Sequence, residues 1–288
     1  MLDLFYTPFS EFEFMRRALV GVIAIALGGA PVGVFLMLRR MSLTGDAMAH
    51  AILPGAAVGY LLAGLSLPAM TVGGLFAGVI VAVAAGLVSR FTALKEDASL
   101  AACYLLSLAL GVTIVSLRGS NVDLLHVLFG TVLALDDNTL LLLASISTLT
   151  VIALAVVYRP LVLECVDPVF LRSVSRAGTP THLIFLALVV MNLVGGFHAL
   201  GTLLAVGMMM LPAAASRFWT SDITTMMIVS VAIGILSGFS GLLLSFHAEL
   251  PAGPAIILSA GAVYVMSLVV GREGGLLWLA WPGKHLEA

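Results

Sequence analysis

The chain has 288 residues, 61% hydrophobic and only 10% charged, with a mean hydropathy of +1.17 and a formal net charge of −2. Soluble domains carry roughly 25% charged residues, so this composition cannot furnish a water-facing surface and excludes an ordinary soluble domain. The two cysteines, Cys103 in an apolar run and Cys165 in a polar connection, exclude a disulfide framework and a thiolate metal cage.

A helix needs about 20 apolar residues to cross the hydrocarbon core. In chain order, runs that approach this length cover residues 18–38, 46–65, 67–88, 98–117 and 139–157, and later 223–246 and 254–270. The first run follows Arg16 and Arg17 but has no small-residue cleavage site, so it reads as a mature span and not a signal peptide. The run 183–215 is too long for one crossing and short for two. Gly195-Gly196 interrupts it, and the expected break falls there.

Basic residues decide between the two counts. A broken pair gives nine spans and places Arg39, Arg40, Arg90, Lys95, Arg159, Arg172, Arg176, Arg217, Arg272 and Lys284 on one side, against Arg16, Arg17 and Arg118 on the other. That is 10 against 3, whereas a single crossing, with eight spans, gives 7 against 6. Positive charge accumulates inside, so nine spans are expected, with the N-terminus outside and the C-terminus in the cytoplasm. The whole of 1–288 reads as one all-α polytopic membrane domain.

No Gly-x-x-x-x-Gly-Lys-Ser/Thr loop occurs, so ATP hydrolysis must come from another chain. The intramembrane-hydrolase patterns His-Glu-x-x-His and Gly-x-Ser-x-Gly are also missing, and an enzyme is not expected. Gly28-Gly29 echoes Gly195-Gly196 in the other half of the chain. Paired interruptions can mark a transport path, but helix packing explains them more simply.

The stretch Ser42-Leu-Thr-Gly-Asp-Ala-Met-Ala-His-Ala-Ile-Leu-Pro-Gly55 carries the chemistry. Asp46 and His50 are spaced i, i+4 and share a helix face. A carboxylate oxygen and an imidazole nitrogen so placed form a half-site for Zn²⁺, Mn²⁺ or Fe²⁺, which a second copy or other residues must complete. Thr44 is placed to cap the helix and Pro54 to loosen it one turn after His50. The plainer alternative is that the pair bonds itself or nearby backbone. Ionisable groups in a span cost about 2.5–3.5 kcal/mol on insertion scales, which favours the functional reading.

Other polar groups say less. Asn192 and His198 flank the glycine pair and are candidates for lining a path, or for capping. Asp123, His126, His247 and Glu249 fall on the expected outer side, where solvated loop residues look the same. Met208-Met209-Met210 point in three directions on a helix and read as packing. Tyr6, Trp219, Trp278 and Trp281 suit interfacial anchoring. In the connection after residue 166, Val169, Phe170 and Val174 form one apolar side with Arg172 and Arg176 beside it. Such a helix suits a partner's groove or the membrane interface, and both readings stand.

These residues resemble the membrane subunits of the zinc/manganese/iron family of bacterial ABC importers. The likeness runs from about residue 15 to 270 and is most specific in Ser42 to Gly55, supported by Leu128-Phe-Gly130, Val206-Gly-Met-Met-Met-Leu-Pro-Ala-Ala-Ala215 and Leu250-Pro-Ala-Gly-Pro254. It implies a type II ABC importer fold related to vitamin B12 permeases, in a bacterial inner membrane. It further implies a permease homodimer on two ATPase subunits, fed by an extracytoplasmic metal-binding protein; no nucleic acid is expected as a partner. By the same likeness, Asp46 and His50 belong to the metal path, and 167–178 is the cytoplasmic coupling helix, bringing Asp167, Phe170, Arg172, Arg176 and Gly178 to the ATPase.

No permanently bound cofactor is implied; the metal is cargo, Zn²⁺ or Mn²⁺ with Fe²⁺ admitted, and donor affinity leans to zinc. Ala49 departs from the family, which commonly has serine there, and His198 is not a family residue. Two alternatives remain: a proton-coupled secondary transporter using Asp46 as proton site, and an ABC permease for a metal chelate. A close Asp/His pair favours a bare ion over a chelate.

Overall fold

The computed structural model describes residues 2–64, 66–92, 96–117, 132–167, 170–171 and 178–277, and every regular element among them is helical. Lipid offers backbone groups no hydrogen-bonding partner, so apolar runs of this length close their own bonds as helices. In order these are α1 (Leu2–Glu11), α2 (Glu13–Leu38), α3 (Ser42–Ala51), α4 (Leu53–Ala63), α5 (Leu67–Phe91) and α6 (Glu96–Leu117). A 3₁₀ turn (Val132–Ala134) follows, then α7 (Asp137–Val166), α8 (Gly178–Leu200), α9 (Thr202–Ser216), α10 (Ile223–Ala248) and α11 (Ala252–Val270). Seven stretches are long and apolar enough to cross a membrane unaided, counting α3 and α4 as one, and the apolar helices Ala98–Ile114 and Thr202–Ser216 are shorter.

The central helix is α2, whose apolar window is 78% buried against 22% for α5 and 28% for α7. Helices in lipid gain little from apolar burial and associate by close packing, which small residues permit. Gly33 shows this on α2: a Cβ there would sit 1.9 Å from the Met209 carbonyl oxygen of α9. Phe35, Ile52, Phe185 and Val189 centre one buried cluster on α2, α3 and α8, while Val22, Leu204, Met208 and Leu242 centre another on α2, α9 and α10.

Contacts along α2 fix the direction of its neighbours. Arg39 meets His182, Phe35 meets Phe185 and Gly28 meets Asn192, so α8 runs antiparallel to α2. Gly29 lies by Met209 and Gly33 by Ala213, so α9 runs parallel to α2. The chain therefore goes out and returns within residues 183–215, as the charge count requires. The reversal falls at Gly201, with φ 85°, and not at Gly195-Gly196 as the sequence suggested. A φ of this sign favours glycine. Gly195 and Gly196 stay inside α8 because they are close-packing sites: a Cβ on them would lie 2.7 Å from Ile146 and 2.6 Å from Ala205.

Similar pairings set the rest. Gly55 against Gly73 and Gly59 against Ala69 make α5 antiparallel to α4, and Ser107 bonded to Ala51 with Gly111 at Pro54 makes α6 parallel to α3 and α4. Arg17 with Asp137 and Arg39 with Glu164 align α7 with α2. Gly238 at Val22 and Gly234 at Ala26 turn α10 against α2, and Gly207 at Ile257 with Gly271 at Phe218 aligns α11 with α9. The described helices thus make nine alternating passes between an Arg17 end and an Arg39 end.

Three local expectations change. The 46–65 run is two helices meeting at Ile52, with Pro54 in the first turn of α4, where proline's missing N–H costs nothing. The helix α3 begins at Ser42 after Met41, which puts the Thr44 backbone inside the first turn and not at the N-cap position. Gly28-Gly29 do not interrupt α2, which is continuous from Glu13 to Leu38.

Candidate metal site

The site begins where α2 ends. Met41 N–H donates to the Leu36 carbonyl at 2.9 Å and Arg40 N–H to the Met37 carbonyl at 3.0 Å, the paired bonds of a Schellman turn. The left-handed position of this turn, usually glycine, is Arg40 with φ 58°. The chain is thereby turned into α3. One face of α3 is buried through Ala47, Met48, Ala49 and Ala51. Asp46 and His50 lie elsewhere on it, with side chains 65% and 29% exposed.

Asp46 Oδ1 and His50 Nε2 are 3.9 Å apart, too far to bond directly. Metal–ligand distances of about 2.0–2.2 Å put one cation within reach of both donors after a small side-chain adjustment. Among the described residues no group of three or more His, Cys, Asp or Glu surrounds a common point, so described carboxylate, imidazole and thiol groups of one chain do not complete the coordination shell. Tyr104 of α6 stacks on the His50 ring, with centroids 6.4 Å apart and planes at 29°. Nothing in the sequence singled out this tyrosine, which sits in an ordinary apolar run. Ala49 is 2% exposed in the core, so a serine there would not extend the Asp46–His50 face.

The remaining candidates fall in different places. Asn192 Nδ2 donates to Thr150 Oγ1 and to the Leu188 carbonyl, both at 2.8 Å, which ties α8 to α7. His198 lies in the last turns of α8, and its side chain is outside the described residues. Met208 and Met209 are 0% and 1% exposed, as packing residues should be. His247 and Glu249 close α10 at the Arg17 end, with His247 Nδ1 2.9 Å from the Leu243 carbonyl. Trp219 donates from Nε1 to Ser267 Oγ at 2.9 Å. Asp123, His126, Trp278 and Trp281 lie outside the described residues, and so do Arg172 and Arg176. Of the 167–178 segment, Asp167 accepts from Phe170 N–H at 2.9 Å, Phe170 is 51% exposed, and Gly178 opens α8.

A second charged group sits at the Arg39 end. Arg39 Nη2 donates to Glu164 Oε1 at 3.0 Å and to His182 Nδ1 at 2.6 Å, and the guanidinium lies 5.2 Å over the Phe185 ring. The Arg39 and Glu164 side chains are only 10% and 9% exposed. In the sequence Arg39 stands only as a topology charge and Glu164 and His182 carry no signal, because residues from three distant segments meet here.

Nine apolar passes, of which α2 is the most buried of the full-length spans, define a polytopic membrane protein. The chain belongs to the ABC 3 transport family, whose model matches residues 11–271. It is 28% identical to the manganese transport system membrane protein MntC of Halalkalibacterium halodurans, over 99% of this chain and 97% of that one. It is also 28% identical to the manganese import system permease protein ScaB of Streptococcus parasanguinis, over 95% and 96%. Among solved structures, PsaBC from Streptococcus pneumoniae in complex with Fab superposes with a TM-score of 0.85 at 26% identity, covering 98% of this chain and 100% of that chain. The protein is a multi-pass component of a bacterial inner membrane.

Proposed function

We propose that this chain is the membrane-spanning permease of an ATP-driven, binding-protein-dependent importer of a divalent transition metal, manganese first among them. The Asp46–His50 pair carries this reading: two metal donors on one helix face, separated enough to admit a cation and joined by no third described carboxylate, imidazole or thiol. A second copy of the chain supplies the same two donors and completes the coordination. Donor affinity ranks zinc above manganese, but selectivity is set largely by geometry and metal availability, so the manganese relatives outweigh that order.

The Arg39 end is cytoplasmic in this reading, because the basic residues collect there. Two ATPase subunits engage that end through 167–178, and the exposed Phe170 suits an apolar groove. An extracytoplasmic metal-binding protein delivers cargo at the Arg17 end.

The test is radiolabelled manganese uptake into vesicles carrying the complete complex. Asp46→Ala and His50→Ala should each abolish uptake at unchanged assembly, and uptake should require ATP. Parental uptake by both variants would place the path elsewhere, and uptake without ATP would favour the proton-coupled alternative.

A further inference from the structure

Arg39 occupies a junction that the transport reading leaves unused. Its guanidinium joins Glu164, three residues before the 167–178 segment, to His182, four residues after the segment's last residue. The two stalks of that segment, the end of α7 and the start of α8, are therefore held by one side chain at the C-cap of α2. Arginine can only donate, so His182 Nδ1 accepts, and a single Nη2 serves both partners. The knot is nearly buried and aromatic-walled. Phe185 lies under the guanidinium, and Phe35 packs edge-on against both Phe185 and Tyr158, with centroids 6.3 Å apart in each pair.

On its other side, Arg39 directly precedes Arg40, whose left-handed backbone starts the turn into α3. Asp46 lies seven positions beyond Arg39 and His50 four further on. A non-glycine residue held at positive φ stores backbone strain of order 1–3 kcal/mol, which persists only where the surroundings impose it. Arg39 is the neighbouring residue that is pinned. A displacement of the two stalks would move Arg39 with them, change the load on the Arg40 turn and reorient α3.

We infer that Arg39, tied to Glu164 and His182, is the positioning residue that transmits movement of the ATPase-engaging segment to the helix bearing the metal donors. This rests on the permease reading above. A buried ion pair can instead serve as a plain staple between helix ends, and double-sided measurement separates the two.

The experiment measures manganese transported per ATP hydrolysed in the reconstituted complex for Glu164→Gln and His182→Gln. Glu164→Gln keeps the side chain's shape and replaces the bond between two charges by a weaker one to a neutral amide. Its metal-to-ATP ratio should fall about tenfold, the scale of one such bond, while the ATPase stays associated and hydrolysis continues. His182→Gln leaves the ion pair intact and should give a smaller fall in a folded chain even where Glu164→Gln lowers yield. A parental ratio in both variants overturns the inference. So does a parallel fall of transport and hydrolysis with the amount of folded complex, which marks a staple. Failure of the permease reading shows differently, as parental uptake in Asp46→Ala or as ATP-independent uptake.

Discussion

Two charged groups in this protein lie within about three helical turns of each other along the chain, and they are built in opposite ways. At the Arg39 end, Arg39, Glu164 and His182 converge from three helices, are nearly buried, and bond one another. On α3, Asp46 and His50 come from one helix, are partly exposed, and stand 3.9 Å apart without a bond. Ionisable groups in or near lipid are expensive, and the two solutions to that cost differ. The first group bonds within the fold, Arg39 Nη1 aside, and so acts on the fold. The second leaves its donors open, as a site for something that arrives from outside must.

The largest effect that sharpens this contrast concerns transport. The double variant Asp46→Ala/His50→Ala should be no worse than either single one, because two donors to one cation act as a unit. Asp46→Glu should retain part of the uptake, since the charge persists while its reach changes. Additive losses in the double variant would mean that the two residues act at separate steps.

Stability should show the reverse pattern. Arg39→Ala strands a buried carboxylate and should cost about 3–5 kcal/mol. Asp46→Ala removes an exposed group and should stay within about 0.5 kcal/mol. Thermal unfolding of the purified permease in detergent reads both. Equal destabilisation by the two would erase the distinction between a closed and an open charged group.

The smallest effect lies at the Arg17 end, where Asp136 caps α7. The backbone N–H of Thr139 donates to its carboxylate at 3.1 Å, and the Thr139 hydroxyl donates to the same oxygen. The Thr139 hydroxyl, chiefly, and its backbone N–H hold the Asp136 carboxyl below its ordinary range. A lowered pKa favours the folded state above the unfolded value of about 3.9, and that contribution is lost as pH falls through the folded value. Asp136→Ala should therefore cost about 1 kcal/mol at neutral pH and progressively less under acid. An unchanged pH profile of unfolding would remove this cap from the account.

Composition and run length by themselves determined that this is an all-helical membrane protein, because lipid leaves a long apolar run no other way to bond its backbone. Charge asymmetry was enough to count nine passes, since each added crossing moves every later basic residue to the other side. The i, i+4 spacing alone put Asp46 and His50 on one face, a purely local consequence of helical pitch.

Local signals failed where a residue's role depends on a neighbour far along the chain. Gly195-Gly196 read as the break, and only the packing of Ile146 and Ala205 against that pair, with the positive φ of Gly201, moved the turn to Gly201. Asn192 stood as a candidate for a path or a cap, and only the packing of α7 against α8 brought Thr150 to it. Arg39, Glu164 and His182 carry no motif, being 125 and 143 positions apart from the arginine's side. Periodicity records what a helix does with its own backbone, whereas partnership between helices is set by close approach in three dimensions, and that was decided by the tertiary structure alone.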